Sequence, residues 1–186
     1  MIDWIIGFIE GEGCFNITIQ EIKNKKSRSL QIHPNFQISI GEQDKHILEL
    51  IKSEFGFGNI NLMPKKYWTI YGFDAQNQYQ YKINNINDCL LLTKILDDQL
   101  ISSKKQSYIK WKQILLFVSN YEHLNKKGIL NILQLRDNVN NVSKRKNYKD
   151  YDYYSIIVDE MDSRGLFSEK QILSRKSTSK KHRCTK

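Results

Sequence analysis

The sequence predicts an α+β domain in which an antiparallel β-sheet of two hairpins carries helices on one face. Three observations predict it. Apolar and polar residues alternate in short runs, as Phe15, Ile17 and Ile19 do with Asn16, Thr18 and Gln20, which is the period of a half-buried strand. Other runs repeat apolar residues at helical spacing, as Ile47, Leu48, Leu50 and Ile51 do. The order is helix, two strands, helix, two strands, helix and further helices. Hairpins separated by helices build antiparallel sheets with the helices over one face.

Each element has its own warrant. Residues 4–12 place Ile5, Phe8 and Ile9 at helical spacing, with Gly13 as the stop. The strand of Phe15, Ile17 and Ile19 follows, then a basic turn from Lys23 to Arg28, then a strand of Phe36, Ile38 and Ile40. His46–Phe55 is an amphipathic helix with Asp44 as its N-cap and Gly56 beyond its end. Strands are expected over 59–71, interrupted by Pro64, and over 78–83. Helices are expected over 87–96, 104–121 and 128–139. Trp68 and Trp111 read as core anchors. The predicted domain ends near residue 141, and residues 142–186 form a basic extension. In it a basic stretch over 143–149 is followed by an apolar element over 156–167 and a Ser/Lys/Arg-rich tail from Ser174 with no expected order.

Composition narrows the function. Among 186 residues, 29 Lys and Arg stand against 20 Asp and Glu, a balance of +9 that favours a polyanionic partner, nucleic acid being the commonest. No apolar run approaches the roughly 20 residues that span a bilayer. The 3 cysteines are widely spaced and odd in number, so they offer neither a disulfide framework nor a zinc pattern. A soluble, intracellular, basic protein is the expectation. Ala75 is the only alanine, while Ile, Asn, Lys and Tyr abound, a bias that an A+T-rich genome such as an organelle's produces.

The strand residues out of phase with the apolar set are Asn16, Thr18, Gln20, Gln37, Ser39, Gln78, Gln80 and Lys82, joined by Tyr67, Thr69 and Tyr71 if that strand is regular. Amides donate and accept hydrogen bonds and match adenine edges in the major groove, so this amide-rich face can read DNA; it can also be a solvated face enriched in Asn by codon bias. Lys23, Lys25, Lys26 and Arg28 at the first hairpin's turn would meet phosphates.

The opening segment Trp4–Phe15 carries the most chemistry. Gly7 and Gly11 share one helix stripe, where close approach of another backbone would offset the cost of about 1 kcal/mol per glycine. Glu10 and Glu12 lie at the helix's C-terminal end, where the macrodipole is already negative. Either both point into water beyond a glycine cap, or a cation compensates them, and hard oxygen ligands select magnesium or calcium.

Ile5-Ile6-Gly7-Phe8-Ile9-Glu10-Gly11-Glu12-Gly13 resembles the signature of the LAGLIDADG homing endonucleases, with Glu at both acidic places and Gly11 where the family has alanine. The resemblance continues through Phe36–Ile40 with Asp44–Leu48, Phe55–Ile60, Lys104-Lys105, and Glu122–Leu124 with Gly128-Ile129, over about residues 1–141. It implies a site-specific DNA endonuclease, intron-encoded in the family's manner, that makes a double-strand break by hydrolysing phosphodiesters with Mg2+. Carried over by position, Glu12 would be the metal-binding acid and the Gly11 carbonyl an auxiliary ligand. Glu10 would serve the helix end, and Lys104 or Lys105 would screen charge at the scissile phosphate. A polar residue that orients water in the family falls near Ile40, Glu42 or Gln43. One motif per chain implies a homodimer meeting through Gly7, Phe8 and Gly11 on double-stranded DNA. The A+T-rich coding bias points to a mitochondrion or another organelle with such a genome. The alternative on the same fold is an intron maturase, a splicing cofactor that binds intron RNA.

Overall fold

The computed structural model of the chain describes residues 1–24, 27–64, 77–139 and 148–184, with side chains as far as residue 178. The elements are α1 (Ile2–Glu12), β1 (Gly13–Asn24), β2 (Ser27–Gly41), a 3-10 turn (Glu42–Asp44), α2 (Lys45–Phe55), β3 (Asn59–Met63), β4 (Gln78–Ile83), α3 (Ile86–Leu96), α4 (Lys104–Ser119), a second 3-10 turn (Glu122–Leu124), α5 (Lys126–Arg136), α6 (Tyr151–Ser163) and α7 (Glu169–Cys184). The strands form one sheet in the order β1-β2-β4-β3, and β4 runs antiparallel to both β2 and β3. The α+β class and the helix–hairpin–helix–hairpin–helix order are those expected from the sequence. The chain divides into two compact units, Met1–Asn16 with Asn35–Lys105, and Ile17–Pro34 with Gln106–Lys186.

In the first unit, α1 buries Ile5, Ile6 and Ile9, and α2 buries Leu48, Ile51 and Phe55. Phe15 and Phe36 stack at 5.2 Å between ring centroids, and Ile38, Tyr81 and Ile83 continue the apolar side of the sheet. Each fully buried side chain of this size contributes about 1.5–3 kcal/mol of transfer free energy. Gly56 ends α2 with φ 74°, the left-handed cap expected for it. Gly13 stops α1 by another route. Its backbone is extended, and a Cβ there would lie 2.7 Å from the Ile9 carbonyl oxygen and 2.9 Å from Phe36 Cε2, so glycine is required by crowding rather than by a left-handed turn. Asn85 caps α3 by accepting from the Asn87 amide at 2.8 Å. Burial pushes the Cys89 thiol up to about 12, which makes it an inert core residue.

In the second unit, Trp111 is fully buried in α4, as expected, with Ile114 and Leu115. Leu30 and Ile32 are the buried residues of β2 there, Ile129, Ile132 and Leu133 those of α5, and Tyr154, Ile157, Val158 and Met161 those of α6. Helix α5 begins two residues earlier than its apolar period, because Asn125 caps it by accepting from the Gly128 amide at 2.7 Å. Two expectations are corrected. The second strand covers 15 residues, since the alternation of Leu30 and Ile32 with Gln31 and His33 runs through Pro34 into Phe36 and Ile38. The tail from Ser174 continues helix α7 to Cys184, because Glu169–Leu173 starts the helix with good formers, Arg and Lys continue it, and neither Gly nor Pro interrupts it. Of the strand expected over 59–71, residues 59–63 form β3; Tyr67, Trp68, Thr69 and Tyr71 lie outside the described residues, as do Lys25, Lys26 and residues 143–147.

Candidate functional site

The C-terminal end of α1 is where the first unit gathers its charges. The last turn of the helix holds no basic residue, yet it ends in Glu10 and Glu12. The missing cation comes from the start of α4. Lys104 Nζ donates to the carbonyls of Ile9 at 3.1 Å, Gly11 at 3.0 Å and Gly13 at 2.6 Å; the Ile9 carbonyl also accepts from the Gly13 amide, so the ammonium adds to the last bond of the helix and reaches two carbonyls beyond it. Burial draws the Lys104 ammonium below the usual lysine range, opposed by Cys14, Glu12 and Glu10. Glu10 faces the same chain segment from the other side. Its carboxylate accepts from the Ile101 amide at 2.7 Å and the Ser102 amide at 3.0 Å. Burial acts to raise its pKa, but the hydrogen bonds from Ser102 and Ile101 outweigh burial and hold it below the ordinary carboxylate value. Lys105, the neighbouring candidate, is exposed.

Glu12 is left over. Its side chain is exposed, and no described residue hydrogen-bonds its carboxylate. It lines an open pocket of about 350 Å³ together with Phe8, Ser39, Ile40, Gly41, Asp44, Ile47 and Gln78. Asp44 stands at the N-cap position of α2, as expected, but makes no side-chain capping hydrogen bond, and it is among the residues that line this pocket. Of the three positions considered for orienting water, Ile40 lines the pocket, and Glu42 accepts from Asn77 Nδ2 at 3.0 Å. Among the described residues no group of three or more His, Cys, Asp and Glu comes together, so one chain offers a cation the Glu12 carboxylate and the Gly11 carbonyl. That carbonyl has a second lone pair beyond the one taken by Lys104. Both donors are hard oxygens, the set that suits magnesium, and the remaining ligands must come from water, phosphate or a second chain.

The sheet of the first unit carries a polar face in strict register. Gln37, Lys82 and Asn59 stand opposite one another across β2, β4 and β3, and Ser39, Gln80 and Asn61 form the next such row. Gln80 Nε2 donates to Ser39 Oγ at 3.2 Å, and Gln78 pairs with Gly41 beside the pocket. Asn16 lies on the same phase of β1, opposite to buried Phe15. Asn59 and Asn61, both exposed, were not singled out from the sequence; their spacing of two, in phase with each other, was the available signal.

In the second unit, Thr18 and Gln20 are exposed on β1, out of phase with buried Ile17. Exposed Gln31 and His33 alternate with buried Leu30 and Ile32 on β2, and Gln31 Oε1 lies 3.3 Å from His33 Nε2. These two were missed because the strand was read as starting near Phe36. Lys23 is exposed near the end of β1, with Nζ 3.3 Å from Glu21 Oε1. Arg28 departs from the expectation for it. It is in phase with Leu30 and Ile32, on the covered side of β2, and binds Glu160 of α6.

The outward stripe of α1 is open. Among the described residues nothing lies within 4 Å of where a Cβ on Gly7 or Gly11 would sit. Between the glycines and the helix start, Trp4 is 49% exposed and stacks on Phe8 with ring centroids 5.4 Å apart. An exposed tryptophan on a half-buried phenylalanine, next to bare helix backbone, is an unusual surface for a chain to leave in water.

The chain matches the profile of LAGLIDADG endonucleases over residues 5–115. It is 29% identical over 136 residues to probable intron-encoded endonuclease 3 of Neurospora crassa, covering 72% of this chain and 24% of that protein. To a protein of ND4 intron 1 in Podospora anserina it is 31% identical over 126 residues, 66% of this chain and 25% of the other. To a protein of cox1 intron 2 in Schizosaccharomyces pombe it is 26% identical over 141 residues, 74% and 38%. The chain thus spans between a quarter and two fifths of the length of these relatives. The archaeal intron-encoded homing endonuclease I-Vdi141I complexed with DNA superposes with a TM-score of 0.71 and 25% identity, over 87% of this chain and 96% of that one. The LAGLIDADG homing endonuclease I-GzeII, in complex with its DNA target, gives a TM-score of 0.62 and 27% identity over 75% of this chain and 45% of that one. The matched stretch runs from the first buried isoleucine of α1 to the middle of α4 and includes Glu12 and Lys104, and the chain belongs to the LAGLIDADG endonuclease family.

Proposed function

We propose that this chain is the DNA-cleaving unit of an intron-encoded homing endonuclease, acting as a homodimer on double-stranded DNA with Mg2+. The observation that carries the reading is Glu12, an exposed carboxylate without a hydrogen-bond partner among the described residues, at the foot of a helix whose other acid is engaged. Two strand cuts need two such acids. The open stripe of Gly7, Phe8 and Gly11 with Trp4 supports a second copy docking along α1, which would bring the partner's α1 end beside this one.

Glu12 and the Gly11 carbonyl would hold the metal, which when bound supplies Lewis-acid activation of phosphate and water. The residues of the chain do the rest. Lys104 holds the carbonyls that end α1 and so fixes where Glu12 projects; it is a positioning residue. Exposed Lys105 is the one free to meet a phosphate. Asn16, Gln37, Ser39, Gln78, Gln80 and Lys82 of the first unit, extended by Asn59 and Asn61, would contact base edges. Thr18 and Gln20 of the hairpin would do likewise, and Lys23, with Lys25 and Lys26, would meet phosphates.

The relatives of cox1 and ND4 introns support a mitochondrial origin. The maturase reading is the less favoured, because relatives whose names state an activity are endonucleases. The test is cleavage of a duplex spanning the uninterrupted insertion site of the encoding intron, with and without magnesium, using Glu12→Gln as control. Magnesium-dependent double-strand cleavage that the variant loses supports the reading; cleavage equal in the variant overturns it.

A further inference from the structure

A cluster of charges built by the segment beyond the family match has no part in the site above. Glu21 lies on the covered side of β1, in phase with Ile17 and Ile19, and its side chain is 7% exposed. Its Oε2 receives Lys149 Nζ at 3.1 Å and the Tyr153 hydroxyl at 3.0 Å. Its Oε1 lies 3.9 Å from Arg28 Nη1, which links the two strands of the hairpin. Arg28 then grips Glu160 of α6 with two nitrogens, Nε donating to Oε2 at 2.9 Å and Nη2 to Oε1. Arg164 closes the arrangement, donating from Nη2 to the Arg28 carbonyl and from Nε to the Glu160 carbonyl at 2.9 Å.

The other end of α6 is fastened as firmly. The Tyr151 amide donates to Asp137 Oδ2 at 2.9 Å, and the Tyr148 hydroxyl donates to Oδ1 at 2.5 Å. Arg136, at the end of α5, lies 4.7 Å above the Tyr148 ring and 5.3 Å above that of Tyr154. A two-stranded ribbon twists strongly and is marginally stable by itself, and one ending in Lys23, Lys25, Lys26 and Arg28 also repels itself. A bidentate arginine–carboxylate pair fixes geometry as well as charge. We propose that α6 is a strut for the β1–β2 hairpin, holding it from the covered side through Glu160 and Tyr153 with the adjoining Lys149, so that Thr18, Gln20, Gln31 and His33 on its exposed side meet nucleic acid in a fixed register. Glu21, Arg28 and Glu160 are positioning residues in this arrangement. The recognition half rests on the nucleic-acid reading above; the bracing half does not.

The test uses the full chain with Glu21→Gln and, as the milder change, Glu160→Gln. Hydrogen exchange is followed over residues 17–24 and 27–34, with α2 as an internal reference, and each protein is used to select from a pool of random-sequence DNA duplexes. Hairpin exchange should accelerate about tenfold in Glu21→Gln, where a desolvated carboxylate loses its charge beside three cations, and by a smaller factor in Glu160→Gln, while α2 is unchanged. The selected sequence should lose definition at some positions and keep it at others. The salt dependence of duplex binding should stay constant, since neither residue contacts phosphate. Hairpin exchange within about twofold of the wild type in both variants overturns the proposal, as does acceleration shared equally by α2. An unchanged selected sequence from a wild type that does select also overturns it alone. A wild type that selects no sequence overturns the nucleic-acid reading and takes the recognition half with it.

Discussion

Replacing Lys104 with methionine removes one charge, keeps the length and apolar stem of the side chain, and should cost far more than the same change one residue later. Lys104 Nζ is the donor for three carbonyls at the end of α1, at 3.1, 3.0 and 2.6 Å. Hydrogen bonds involving a charged group contribute about 1.5–3 kcal/mol where the partner is left unsatisfied. The three bonds do not add, because the end of α1 is partly open and water can replace the ammonium at the exposed Gly11 carbonyl. A cation at a helix C-terminus contributes a further ~0.5–1 kcal/mol. Desolvation of the ammonium, which draws its pKa down, works against these gains. The balance is a loss of about 2–4 kcal/mol, a fall in Tm of roughly 5–15 °C for a chain of this size. Lys105→Met, at an exposed position, should stay within about 0.5 kcal/mol of the wild type. Urea unfolding of the two variants side by side measures the difference. Equal stabilities for the two variants, or a Lys104→Met protein within ~0.5 kcal/mol of the wild type, would refute the assignment of Lys104 as the cap of α1.

Glu12→Gln should abolish magnesium-dependent strand cleavage yet leave the unfolding midpoint within about 0.5 kcal/mol, since the side chain is exposed; nicking of a labelled duplex and urea unfolding read the two effects. Gly7→Leu should fold with near-normal stability, because the space around Gly7 is open among the described residues, and should block pairing of two chains; analytical ultracentrifugation of the free and DNA-bound protein reads this, and a dimer in the variant would count against α1 as the interface. Acid should destabilise the protein through Glu10 and Glu21, whose carboxyls sit below the ordinary 4.5 despite burial, because hydrogen bonds outweigh it. A folded-state pKa below the unfolded one gives stabilisation that is complete above pH 4.5 and is lost as pH falls through the folded value, so Glu21→Gln should flatten the acid limb of stability against pH.

Residues with local consequences were the legible ones. The alternation at Phe15–Ile19 and the helical spacing of α2 placed elements within a residue or two, because burial of one face dictates both. Gly13 was correctly a stop, but its reason, the approach of Phe36 from a neighbouring strand, is tertiary and invisible in the run itself. Asp44 shows the same limit from the other side. An aspartate before a helix reads as a cap, and only the fold shows that Asp44 makes no capping bond and lines the pocket of Glu12. Arg28 looked like a phosphate contact because basic turn residues often are. Its phase along β2, set by Leu30 and Ile32, puts it on the covered side, a phase that becomes visible only when the strand is taken to begin at Ser27 rather than near Phe36. Helix α7 was missed because composition weighs charge and apolar content, whereas helix propensity depends on backbone and rotamer entropy.

The two acids of the motif are chemically alike in the sequence, and the fold makes them different. Two carboxylates at a helix C-terminus oppose the macrodipole, so the chain must supply positive partners or leave the acids to something else. It does both. Ser102 and Ile101 present amides to Glu10, and Lys104, two residues on, places its ammonium on the carbonyls between the acids. The segment 101–104 therefore satisfies the helix end and one glutamate together, which is why a lysine 92 residues away in the chain belongs to the same device as the opening motif. Glu12, one residue past the reach of those amides, keeps an uncommitted charge at a pocket mouth. Glu12 shares the charge of Lys104 but makes no hydrogen bond among the described residues, whereas two backbone amides occupy Glu10. The acid left without such donors is the one available to an external cation, and that is the physical ground for proposing Glu12 rather than Glu10 as the metal-binding acid.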